Sequence, residues 1–301
     1  MKSGCLCCSV RGDLAQTISE LWAQRTQGRI EFEHIVIETT GMADPGPILQ
    51  TLLVDPYLAR TTKMDGIVTV ADAVNGPATL DAQFEAVSQV AIADLIILSK
   101  TDLATSEDVV MFEERLRGLN PGIDIVHAVR GKEIGSQIYG LSALHPKAQK
   151  MDVLAWTHVP STPKDPFANL SGFAASQETF QPLSAHDARI GSASIVIDAP
   201  IKDAVFDHWL DTLMKLRGKD VLRIKGIVFI EGFDEPFVFH GVQQIFDPPV
   251  QLSEWPHEDR ASRIVVIARD LSQPELQRSL DMLRALEAPV EDIGFIKESV
   301  Q

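Results

Sequence analysis

The sequence predicts an α/β fold built on a parallel sheet, followed by a smaller α+β unit on an antiparallel sheet. Three observations lead there. Short apolar runs alternate with stretches of helical spacing up to about residue 130. That alternation implies parallel strands with helices on both faces. A stretch rich in Pro, Ser and Asp then interrupts the pattern, and a different rhythm of closely spaced strands follows it.

Taken in order, Val10 to Gln24 places Leu14, Ile18, Leu21 and Trp22 at helical spacing. HIVIE (34–38) reads as a buried strand, and Ile48 to Leu53 as a helix that Pro45 opens. GIVTVAD (66–72), LIILSK (95–100) and IDIVHAV (123–129) are the next strands, separated by helical patterns at Leu80 to Ala93 and Ser106 to Leu119. HPKAQK, VPSTPKDPFANLSG and SAHDAR mark a linker or long loop over 146–190. Beyond it come the strand SASIVID (192–198) and an amphipathic helix from Ile201 to Arg217. Strands in VLRIKGIVFIEG, PFVFHGVQQIF and SRIVVIAR follow, with a closing helix from Pro274 to Ala288. The expected division is therefore 1–145, linker 146–190, and 191–301.

Composition narrows the function. The chain carries 27 Lys and Arg against 42 Asp and Glu, a formal charge of −15. Such a surface repels phosphate backbones and anionic lipid, so neither nucleic acid nor membrane is an expected partner. No apolar run reaches the ~20 residues that cross a bilayer, and no signal peptide is evident. The expected location is cytoplasmic, where thiols stay reduced.

All three cysteines, Cys5, Cys7 and Cys8, lie in GCLCC near the N-terminus. Thiolates at these spacings can converge on one soft-tolerant ion such as Zn²⁺ if the backbone turns there. A redox pair or inert thiols are the alternatives. IVIETTGMADP resembles the strand-to-loop element that faces the γ-phosphate and Mg²⁺ in nucleotide hydrolases. There Glu38 would hold the metal or its water, and Gly41 would let its N–H approach a phosphate. A plain strand–turn–helix competes with that reading. LIILSKTDL resembles a guanine-reading loop, in which Asp102 accepts from N1–H and the exocyclic amine and the Lys100 stem lies along the base. The competing role for Thr101–Asp102 is a helix cap. Asp72, at the carboxyl end of its strand, is either a ligand contact or an N-cap. His34, His127 and His240 read as structural residues, and Arg11-Gly12-Asp13 as the cap of the first helix.

Together these residues resemble the CobW-like family of P-loop GTPases, which are metallochaperones. The match covers Gly4-Cys5-Leu6-Cys7-Cys8-Ser9-Val10-Arg11, Glu38-Thr39-Thr40-Gly41-Met42-Ala43-Asp44-Pro45 and Val70-Ala71-Asp72-Ala73. It continues through Gln89 with Ala93-Asp94, Ser99-Lys100-Thr101-Asp102-Leu103, Arg223-Ile224-Lys225-Gly226, His240-Gly241-Val242 and Ser262-Arg263-Ile264-Val265. The resemblance implies a P-loop GTPase-type sheet followed by the family's small C-terminal domain. It also implies GTP hydrolysis with Mg²⁺, and Zn²⁺ or Co²⁺ held by Cys5, Cys7 and Cys8 for delivery to a metal-dependent client protein. Glu38 and Gly41 would serve hydrolysis, and Thr39, Thr40, Asp72, Ser99, Lys100 and Asp102 nucleotide binding. Homo-oligomerisation is left open. One departure is large: no G-x-x-x-x-G-K-[ST] occurs in the 301 residues. The family's phosphate loop and first strand precede its cysteine motif, so the expectation is an N-terminally truncated chain whose sheet lacks that strand. Ser99 also stands where many GTPases have Asn.

Overall fold

In the computed structural model, the described residues are 6–41, 43, 46–132, 134–141, 184–243, 245–246, 249–253, 255 and 259–287. The N-terminal part runs α1 (Leu6–Thr26), α2 (Gly46–Val54), α3 (Leu58–Thr61), β1 (Val68–Asp72), α4 (Gly76–Ala82), α5 (Phe84–Ile92), β2 (Leu95–Ser99), α6 (Ser106–Leu119) and β3 (Asp124–Ala128). Its three strands pair in parallel in the order β1-β2-β3, with Val70 opposite Ile97 and Ile97 opposite Val126.

The centre of this sheet is β2, an uninterrupted apolar run that only a strand covered on both faces can carry. Ile96 and Leu98 pack with Val87, Val90, Phe112, Leu116 and Leu119 from α5 and α6. Leu95 and Ile97 face Ile134, Ile138 and Leu141 on the other side. Helix α6 begins at the predicted residue because Thr105 caps it, its Oγ1 accepting from the Asp108 N–H at 3.1 Å. The predicted helix over Leu80–Ala93 is two helices, broken at Gln83, whose backbone is extended.

Three further expectations are corrected. HIVIE (34–38) is not a buried strand: it has no sheet pairing, and Val36 is 69% exposed. A strand exists through its ladder, and among the described residues the edge strand β1 pairs only with β2. Val70 on that edge is likewise 66% exposed. His34 and His127, expected in the core, are both exposed; His127 Nε2 instead meets Glu113 at the surface. Arg11-Gly12-Asp13 lies inside α1 rather than capping it, because the helix reaches back to Leu6.

The C-terminal part contains β4 (Ile190–Ile197), α7 (Asp203–Arg217), β5 (Val221–Val228), β6 (Phe237–Val242), β7 (Ile245–Phe246), β8 (Val250–Gln251), β9 (Ser262–Arg269) and α8 (Gln273–Asp281). These strands form an antiparallel sheet ordered β4-β9-β5-β6-β7, with β8 paired to β6. Helices α7 and α8 cover one face around the buried Trp209. Two strand glycines are explained by close approach. Gly226 lies opposite Phe239, and a Cβ there would fall 2.7 Å from that ring and 2.8 Å from the Arg263 carbonyl oxygen. Gly241 seats the ring of Phe246 in the same way.

The two parts are joined by an apolar seam and two buried cations. Leu49, Ala91 and Ile92 pack against Leu222, Val242, Val265 and Ile267. Arg223 donates to the Ile92 carbonyl at 2.6 Å and pairs with Asp94. Arg115, on α6, makes a two-pronged pair with the fully buried Asp187 at 2.8 and 3.0 Å. It also reaches Asp81 and the Pro77 carbonyl. Beside Arg223, Lys225 is buried opposite His240, and its ammonium is pushed down from 10.5 to about 8. Burial is the main cause; Arg223 adds repulsion, while Asp94 and Asp124 partly counter it.

Two predictions follow from these cations. Arg115→Ala leaves Asp187 buried without its partner, so a urea titration should show a loss of about 3–5 kcal/mol. An unchanged midpoint would mean that the pair carries no stability. Because the unfolded lysine holds its proton up to about 10.5 and the folded one only to about 8, the unfolded state binds more protons between these values. Stability should therefore rise with pH across that window, relieving a cost present below it. Lys225→Met should flatten that part of the profile, and an unchanged slope would assign the effect elsewhere.

Candidate nucleotide and metal site

The carboxyl ends of β1 and β2 lie side by side, with Asp72 opposite Ser99. Open α/β sheets bind ligands at that edge. Lys100 follows at once in the left-handed backbone region, φ 59°, which is uncommon for a residue with a side chain. Its ammonium reaches back to Asp72 Oδ2 at 2.6 Å. Asp72 Oδ1 accepts from the Val74 and Asn75 N–H groups at 2.8 and 3.1 Å, and Asn75 Nδ2 donates to Oδ2. Burial alone would raise this carboxyl, but Lys100 and the Asn75 and Val74 donors outweigh it and hold it well below the usual carboxylate range.

So Asp72, Lys100 and Ser99 are brought together by the structure. Asp72 organises the turn after β1 and pins Lys100, a role between the two that the sequence suggested. Asn75 occupies the N-cap position of α4, and Asp72 supports it through its carboxylate. Ser99 Oγ donates to the Ala71 carbonyl at 2.9 Å, which commits its proton to the strand pair. Asp102 follows in a short 3-10 turn (Thr101–Leu103) and is exposed. The cap of α6 is Thr105, three residues on, so capping is not the task of Thr101–Asp102.

The ETTG loop reaches the same sheet by another route. Glu38 and Thr40 are exposed and Thr39 is half-buried. The Gly41 and Ala43 carbonyls both accept from Gln89 Nε2 on α5, at 3.3 and 2.8 Å. The Gln89 carbonyl in turn accepts from Thr69 Oγ1 on β1 at 2.9 Å. Helix α5 thus holds the loop against the sheet, a function that no local pattern reveals because the partners are 46 and 48 residues apart. Asn75, Gln89 and Arg223 are contributors that the sequence reading left without a role. Each sits where only the contact partner shows its use.

Cys5 lies outside the described residues, as do Met42, Asp44 and Pro45. Cys7 and Cys8 fall on the first turn of α1. Among the described residues there is no cluster of three or more His, Cys, Asp or Glu side chains fit to hold a metal. No described helix is long and apolar enough to cross a membrane.

Comparison with known proteins agrees with this layout. The CobW/HypB/UreG nucleotide-binding domain matches residues 1–127, and the cobalamin synthesis protein CobW C-terminal domain matches 190–284. The zinc chaperone YjiA of Escherichia coli is 26% identical over 94% of this chain and 81% of its own length. Zinc-regulated GTPase metalloprotein activator 1 of Schizosaccharomyces pombe is 30% identical over 90% of this chain and 68% of its own. The crystal structure of Zn(II)-bound YjiA GTPase from E. coli superposes with a TM-score of 0.69 at 26% identity, covering 89% of this chain and 76% of that one. A nucleotide-binding domain and a C-terminal domain, in that order and over most of the chain, place it in the CobW-like family of GTPase metallochaperones, whose shared activity is GTP hydrolysis.

Proposed function

We propose that this chain is a GTP-dependent metallochaperone that binds Zn²⁺ through Cys5, Cys7 and Cys8 and delivers it to a client protein, with nucleotide as the switch. Co²⁺ is the alternative cargo. The observation that carries the nucleotide half is the arrangement after β2. Lys100 is held in a left-handed conformation by Asp72, and the exposed Asp102 has no capping duty. Backbone in that region persists where the surroundings over-determine it, which is a mark of functional turns. Asp102 then selects guanine by accepting two donors that adenine does not offer. The 38–43 loop faces the phosphates, where Glu38 would hold Mg²⁺ or its water. Thr39 and Thr40 flank it, and the Gly41 N–H supplies a donor to a γ-phosphate oxygen. Thiolate binding releases protons, so zinc uptake strengthens as pH rises toward the thiol range.

A second reading, a nucleotide-independent metal-binding or scaffold protein of the same descent, is favoured by one feature. The 301 residues hold no G-x-x-x-x-G-K-[ST] loop. We therefore infer weakened triphosphate binding by the 301-residue chain, since such loops supply most of the phosphate donors.

Calorimetric titration of Mg²⁺-GTP and Mg²⁺-ATP into the zinc-loaded chain separates the readings. The first expects measurable GTP binding and none of ATP. Asp102→Ala should cost about 10- to 100-fold in GTP affinity, the value of one or two charge-assisted hydrogen bonds. A folded, zinc-loaded chain that binds neither nucleotide supports the scaffold reading. For the metal half, competition against a chromophoric chelator should give one Zn²⁺ per chain. Replacing all three cysteines with Ser should abolish it, and full retention of zinc would place the metal elsewhere.

A further inference from the structure

Helix α5 is gripped at two places by groups far apart in the sequence. Near its C-terminus, Gln89 Nε2 holds the Gly41 and Ala43 carbonyls. Three residues later, Ile92 offers its carbonyl to Arg223 Nη1 at 2.6 Å, and Asp94 takes Arg223 Nη2. Arg223 belongs to β5, in the middle of the antiparallel sheet.

The last carbonyls of a helix have no partner within it, and a cation there is favoured by the helix dipole. In α5 three carbonyls at this end have side-chain donors from outside the helix. Asn120 Nδ2 donates to Val90 and Ala93 at 2.9 and 3.0 Å, and Arg223 takes Ile92. The helix side chains are equally constrained, with Val87, Val90, Ala91 and Ile92 all buried. A nine-residue helix seated this way moves as a unit, because packed interiors transmit displacement rather than absorb it.

We propose that Gln89 is the positioning residue of the 38–43 loop, and that α5 couples the state of that loop to the C-terminal sheet through Arg223. Displacing the Gly41 and Ala43 carbonyls removes the two acceptors of the Gln89 amide. The helix then loses its anchor on that side, and Arg223 feels the change three residues on. The apolar seam runs the same way, since Leu49, shortly after the loop, packs on Ala91 and Ile92 beside Leu222, Val265 and Ile267. Coupling of this kind is reciprocal, so loosening the Arg223 end must also loosen the loop. The naming of the loop as phosphate-facing rests on the proposed function, whereas the coupling itself does not.

The test is hydrogen exchange on the full chain without nucleotide, comparing wild type with Gln89→Glu, Gln89→Ala and Arg223→Lys. Glutamate keeps the shape of Gln89 but presents oxygens to both carbonyls, so it isolates donation from packing. Both Gln89 variants should speed exchange in 38–43 by about 5- to 30-fold. They should also speed it several-fold in 221–228, while exchange in 190–197 stays unchanged. Arg223→Lys, which keeps the charge and loses the fork, should speed exchange in 38–43 from the other end. Wild-type exchange in Gln89→Glu would overturn the positioning role. Faster exchange confined to 38–43 would overturn the coupling. Repeating the wild-type measurement with Mg²⁺-GTP judges the other reading separately: coupling without nucleotide protection of 38–43 would retain α5 as the link and remove phosphate as its trigger.

Discussion

The fold turns on the carboxylate of Asp94, in the short connection between α5 and β2. One oxygen accepts from the Ile67 N–H at 2.9 Å, which fixes where β1 enters the parallel sheet. The other pairs with Arg223, which fixes where the antiparallel sheet sits on the first. Both side chains are almost wholly buried, at 6% and 2% exposure. A buried charge pair of this kind adds little net stability over an apolar one, yet breaking it is costly, so it specifies one arrangement. Its neighbour Lys225, held partly against its preference for charge, shows how tightly that junction is closed to water.

At the far end of β2 a second carboxylate–cation pair, Asp72 with Lys100, does the corresponding work for the candidate site. A five-residue apolar strand thus carries an ion pair at each end, one joining the two sheets and one shaping the candidate site. The strand keeps the two ends at a fixed separation. Residues 99–102 are aimed by the same element whose head is bound to the C-terminal sheet. That geometry links the carboxyl edge of the parallel sheet to the antiparallel sheet through one strand and one adjacent helix.

Segment 34–38 shows the opposite case. Its five residues are as apolar as those of β1, and local preference favours a strand in both. One pairs and is ordered into the sheet; the other lacks a ladder and leaves Val36 exposed. The loop that follows is located by a side chain, Gln89, rather than by sheet pairing. The ETTG loop therefore has its position from helix α5, and its sensitivity to the state of that helix has the same origin.

Much of this was determined by the sequence alone. The apolar runs located β1, β2 and β3 within one or two residues, and the helical spacing from Ser106 located α6. Closely spaced β-rich runs also identified β4, β5, β6 and β9, and the ordered motifs identified the family. These signals are local: a period, a cap or a spacing is written in consecutive residues. What only the tertiary structure decided are the pairings that bridge long separations. Arg223 with Asp94 spans 129 residues, Arg115 with Asp187 spans 72, and Gln89 with Ala43 spans 46. The break at Gln83 and the unpaired state of 34–38 belong with them. In each case the residue's role depends on which group arrives beside it, and in a chain of 301 residues that is set by the packing of whole sheets and helices rather than by neighbours in sequence.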